Sequence, residues 1–165
     1  APHRLALQGL IDGMTQLPSP EERHTCLALV RRLLGCLMEE PRFAVTNQLI
    51  DSCPHTSVRA LLLHDVKEEA LKAWPASTAE TSSSPYLKMS VSLLLRTLSP
   101  PGKSLLFHRL DEIQSALNFY RMLLIKDRKN NLTRVWDAEN LKMVKEKSLE
   151  PLTKACEELL GELDG

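Results

Sequence analysis

The sequence predicts an all-α fold of antiparallel helix pairs stacked side by side, and three observations carry that expectation. Apolar residues recur at the spacing of one helix face along most of the 165 residues. Prolines, often after a serine, punctuate the chain at intervals of about one helix. Leucine dominates an apolar fraction of 43%, while aromatics reach only 4%. Leucine loses little rotamer freedom in a helix, whereas a β-sandwich would carry more Val, Ile, Thr and Tyr. Successive helices of similar length joined by short turns point to a solenoid, with a compact irregular bundle as the alternative. The length suits a single helical-repeat domain over residues 1–165.

The elements follow from start and stop signals. A first helix is expected from His3 to Gln16, with Leu7, Leu10, Ile11 and Met14 as its apolar stripe, ended by Pro18. Ser19-Pro20-Glu21-Glu22 then reads as a helix start, with Ser19 as N-cap, Pro20 in the first turn and Glu22 completing a capping box. That helix presents Cys26, Leu27, Val30, Leu33, Leu34 and Leu37 on one broad face. Pro41 interrupts, and a shorter helix is expected from Arg42 to Ser52. After Cys53-Pro54, Thr56 or Ser57 caps a long helix through Leu61, Leu62, Val66, Ala70 and Trp74, closed by Pro75. Residues 76–84 are small and polar and read as a mobile loop. Ser84-Pro85 starts a helix through Leu98, stopped by Ser99-Pro100-Pro101-Gly102. The longest helix is expected over Ser104–Asp127, followed by a polar turn at 128–131. A last helical region over Trp136–Leu163 should be kinked or split by Pro151, which lacks an N–H and whose ring strikes the preceding turn.

Composition and motifs speak against chemistry. The 21 basic and 21 acidic side chains cancel, so the basic excess typical of a nucleic-acid binder is missing. No apolar run is long enough to span a bilayer. Cys26, Cys36, Cys53 and Cys156 lack zinc-site spacing and read as reduced thiols of an intracellular protein, with Cys26 and Cys36 as small helix-core residues. The sequon Asn131-Leu132-Thr133 reads as a chance match. The chain has no G-x-S-x-G elbow, P-loop, dinucleotide fingerprint or H-E-x-x-H. His64 and Glu68, one turn apart, read as a solvated helix pair rather than an acid–base dyad. Cys53-Pro54-His55 reads as a structural turn, and Asp111-Glu112 as acids favoured by a helix N-terminus. No enzyme, metal or cofactor is expected. Arg59, Lys67 and Lys72 decorate one helix, Lys126, Arg128 and Lys129 cluster at another's end, and Lys142, Lys145 and Lys147 follow. Such clusters usually stabilise helix ends and solubility, and they can also steer a protein partner.

One string is distinctive: Ser115-Ala116-Leu117-Asn118-Phe119-Tyr120-Arg121-Met122-Leu123-Leu124-Ile125-Lys126-Asp127. With Val58-Arg59-Ala60 followed by Val66-Lys67, and Trp136 followed by Leu149-Glu150-Pro151-Leu152, it resembles the C-terminal region of the glomulin family. Leu117, Asn118, Arg121, Leu123, Ile125, Lys126 and Asp127 fall where that family carries the same residues. Glu150 departs from the pattern, standing where the family has lysine, and the distance from Trp136 to Pro151 is slightly longer. The resemblance implies a HEAT-like α-solenoid forming the C-terminal part of a longer protein. It implies a non-catalytic inhibitor of cullin-RING ubiquitin ligases, which covers the surface of the RING subunit used by the ubiquitin-conjugating enzyme. The cytoplasm is the expected compartment, with the nucleus as a second. Lys67 matches a lysine on the family's partner-facing helix; Arg59, Lys126 and Lys145 join it as expected partner-binding residues, while Asn118 and Arg121 are expected to be structural, hydrogen-bonding a neighbouring helix end or loop. The competing reading is a generic helical scaffold or adaptor that docks peptides or helices and has no role in ubiquitin ligation.

Overall fold

A computed structural model describes residues 2–76, 82–99 and 105–163. Its helices are α1 (Pro2–Gln16), α2 (Pro20–Gly35), α3 (Glu39–Ser52), α4 (Thr56–Lys72), α5 (Pro85–Lys88), α6 (Ser90–Thr97), α7 (Leu110–Lys126), α8 (Ala138–Val144) and α9 (Glu150–Leu163). The described residues include no strand. The expected mobile loop lies largely outside the described residues, as does most of the Ser99–Gly102 stop.

The helices stack as a solenoid of antiparallel pairs, and the long-range polar contacts give its register. Cys26 donates to the Leu10 carbonyl and Arg23 to that of Leu17, so α1 and α2 form a hairpin. Arg42 pairs with Glu69 at 2.8 Å and closes the α3–α4 hairpin. Arg109 donates to the carbonyls of Thr97 and Ser99, joining α6 to the start of α7. Across pairs, the second helices run parallel: Arg31 grips Asp65 with two bonds of 2.8 Å between α2 and α4, and Arg59 meets Glu112 between α4 and α7. One continuous apolar core runs from Leu7 on α1 to Leu152 on α9. Phe43 and Tyr86 meet in it edge to face, with centroids 5.1 Å apart.

Local chemistry explains where the boundaries fall. Ser19 caps α2 by accepting from the Glu22 N–H, and its hydroxyl donates to the Glu21 carboxylate; among the described residues no bond from the Ser19 N–H to the Glu22 carboxylate closes the expected capping box. Of the broad α2 face, Leu27, Val30 and Leu34 are buried while Leu33 is exposed. Pro41 does not delay α3. It sits in the first turn of Glu39–Ser52, where its missing N–H has no helical partner to lose. Thr56 and Ser57 do not cap α4; His55 holds that position, and Thr56 donates to the His108 carbonyl at 2.6 Å. The Ser84–Leu98 segment is two helices, with Ser84 capping α5 and a break at Met89. The expected 104–127 helix starts later, at Leu110, after a 3-10 turn at Phe107–Arg109. Pro151 splits the last region as expected. A π-helical turn at Lys145–Leu149 separates α8 from α9, and Pro151 falls in the first turn of α9.

The polar turn after α7 is organised by one buried carboxylate. Asp127, fully buried, accepts from the N–H groups of Leu132 and Thr133 at 2.7 Å each and from the Thr133 hydroxyl at 2.6 Å. Asn131 takes a left-handed conformation, φ 48°, which asparagine tolerates. Its amide donates to Asp137 and its carbonyl oxygen accepts from the Trp136 N–H, so the sequon asparagine is a turn residue engaged on both sides.

Candidate functional site

The residues that stand out in the sequence meet along the seam between α4 and α7. His64, Lys67 and Leu71 lie one turn apart on α4, and Ser115, Asn118, Met122 and Ile125 repeat at the same spacing on α7. Because the two helices run parallel, the stripes face each other across an open groove of about 380 Å³, which Arg121 and Lys126 complete. Its floor is apolar. Its charged lining is cationic, from Lys67, Arg121 and Lys126.

Helical phase decides which residues reach this groove. On α7 the buried set is Ile113, Ala116, Phe119, Tyr120 and Leu123, whereas Gln114, Asn118, Arg121 and Ile125 form a stripe exposed throughout. Asn118 and Arg121, expected to be structural, hydrogen-bond no helix end or loop among the described residues, and both face solvent at the groove. On α4, Lys67 shares a stripe with His64 and Leu71. It is only 22% exposed, its stem lies along the groove wall and its ammonium is 3.2 Å from Glu68. His64 sits 4.0 Å from Glu68, both about half exposed, as a solvated helix pair would be.

Arg59 falls on the other stripe of α4, with buried Leu63, Val66 and Ala70, and is turned inward. Its guanidinium meets the fully buried Glu112 at 2.5 Å, and Arg109 approaches the same carboxylate at 3.1 Å. Sequence reasoning missed this cluster, because a glutamate in a first helical turn reads as a partner of the helix dipole. Its two arginine partners lie 53 and 3 residues away. Lys145 lies apart from the groove, exposed and 3.7 Å from Glu150. Among the basic residues expected to face a partner, the structure thus brings Lys67 and Lys126 together and leaves Arg59 and Lys145 elsewhere.

The remaining reactive groups are distributed through the fold. Cys53 is buried and donates to the His55 carbonyl; burial pushes its thiol above the ordinary range. Cys26 is half buried, and Cys36, expected in the core, is exposed at the end of α2. Among the described residues no group of three or more His, Cys, Asp or Glu side chains could hold a metal ion, and no helix is long and apolar enough to cross a membrane.

The model of an uncharacterised protein family, YAP/Alf4/glomulin, matches residues 4–164. Human glomulin is 26% identical over 131 residues, covering 78% of this chain and 22% of its own length. Mouse glomulin is 26% identical over 132 residues, with the same coverage. The chain thus spans about a fifth of the length of the curated relatives it matches, 22% in both cases.

Proposed function

The chain belongs to the YAP/Alf4/glomulin family, and from that premise we propose that it is a non-catalytic inhibitor of cullin-RING ubiquitin ligases, working in the cytoplasm and nucleus. It binds the RING subunit through the α4/α7 groove and covers the surface that the ubiquitin-conjugating enzyme needs. One observation carries this reading: Lys67, Asn118, Arg121, Ile125 and Lys126, five of the residues through which the sequence resembles the glomulin family, come from two segments far apart in sequence and line one solvent-facing groove. A shared core would explain leucines at these positions, but not a shared exposed polar stripe.

The mechanism is occlusion. A bound repeat surface and a charged conjugating enzyme compete for one face of the RING, so ubiquitin transfer slows with occupancy and no bond is made or broken by this chain. The cations of the groove supply orientation and encounter rate. Its apolar floor, Leu71, Met122 and Ile125, supplies surface to be dried.

The test is an in vitro ubiquitin-chain assay with a purified cullin-RING complex. Wild-type chain should suppress chain formation in proportion to its concentration. Lys67→Glu should retain full helicity and weaken RING binding roughly thirtyfold, about 2 kcal/mol, by setting a carboxylate against the acidic groups the groove would attract. A folded wild-type chain that in large excess neither binds the RING subunit nor slows the reaction would leave the generic helical scaffold as the better account.

A further inference from the structure

A second groove lies on the far side of α7. Leu110, Ile113 and Leu117 form one wall and Leu149, Leu152 and Cys156 the other, enclosing about 600 Å³. No charged side chain lines it; its polar residues are Gln114, Asn118 and Thr153. Asn118 also lines the basic groove, so the two are continuous across a single exposed helix ridge. Leu110, in its wall, is 52% exposed, and Leu105 and Phe107, a few residues earlier in the chain, are exposed as well. Apolar surface gathered in one place, rather than scattered, marks an interaction site.

We propose that the two grooves form one bipartite docking surface, occupied by a single protein segment that carries a carboxylate side chain next to bulky aliphatic ones. The carboxylate seats between Arg121 and Lys126 and shares Lys67 with Glu68, whose carboxylate is 3.2 Å from that ammonium. The aliphatic side chains fill the uncharged groove between α7 and α9, where a charge would be stripped of water without a partner. The grooves flank one ridge of α7, and the whole helix with its side chains is only about 10 Å across. Three residues of an extended segment cover that distance, so one short stretch of the partner can reach both. This rests on the reading that the chain binds a RING subunit across α4 and α7, and adds that the α9 side contributes to the same complex.

The test uses the whole 165-residue chain and the purified RING subunit, with affinity read by titration calorimetry and helicity by circular dichroism. Leu110→Glu places a carboxylate at the rim of the uncharged groove without touching the basic one. Independently, a bulky maleimide is attached to Cys156 in a Cys36→Ser chain, and to Cys36 in a Cys156→Ser chain as the control. Leu110→Glu and the Cys156 adduct should each weaken binding at least tenfold, with the Cys36 adduct within twofold of wild type. If Lys67→Glu still weakens binding while Leu110→Glu and the Cys156 adduct leave it unchanged, the bipartite surface is wrong and the α4/α7 reading stands. If the unmodified wild-type chain does not bind, both fall together.

Discussion

Glu112 shows how one side chain can hold two roles apart. It is fully buried and shared between Arg59 and Arg109, while Asn118 and Arg121, further along the same helix, are exposed and make no side-chain hydrogen bond among the described residues. Removing one member of a buried ion cluster leaves an uncompensated charge, so Glu112→Gln should lower unfolding free energy by about 3 kcal/mol in urea titration. Arg121→Ala, on the exposed stripe, should change it by less than ~0.5 kcal/mol; a large loss there would restore the structural role expected from sequence. Buried hydroxyl and thiol groups set an alkaline limit. Burial foremost, with Glu69 adding and Arg42 opposing, pushes the Tyr86 hydroxyl up to about 12, and burial raises Cys53 and Tyr120 as well. The folded state therefore holds these protons more tightly than the unfolded chain. For Tyr86 the resulting stability is complete below about pH 10 and is lost as pH rises through its folded value. Melting temperature should fall steeply above about pH 10 in wild type, and Tyr86→Phe should flatten part of that fall.

At the scale of the element, caps and breakers were legible because their causes are local. Ser19 and Ser84 cap the helices that the Ser-Pro pairs announced, and Pro151 divides the last helical region. Ser19→Ala should cost about 1 kcal/mol in thermal or chemical unfolding, since the Glu22 N–H loses its acceptor. What sequence did not yield depends on distant partners. Thr56 looks like a cap but donates to a carbonyl 52 residues on. Pro41 looks like a stop but occupies a first turn, where proline is harmless. The candidate groove was half legible: Lys67 and Lys126 could be named from the resemblance, whereas the exposure of Asn118 and Arg121 beside them could not be read from the sequence. Apolar residues occur nearly all round α7, from Leu117 to Ile125, so periodicity alone could not say which stripe faces the core.

For the whole molecule, the stack of antiparallel pairs makes its surface a set of parallel ridges and seams, and long-range polar contacts fix how the ridges align. Binding through a seam lined by Lys67, Arg121 and Lys126 should weaken as salt rises, chiefly by slowing association. A stopped-flow series over ionic strength, with the RING subunit as ligand, measures this; a rate indifferent to salt would count against a cationic docking face. Repeat stacks are elastic strips, and they flex where neighbouring helices can slide. Between α4 and α7 they cannot slide freely, because a shift of one residue would pull a dry carboxylate away from Arg59 and Arg109. The cluster thus acts as a rivet between the two helices whose later turns line the groove. The spacing of the groove walls is settled when the chain folds, so a partner of the kind proposed would meet a mould already cast instead of one it must shape by its own binding energy.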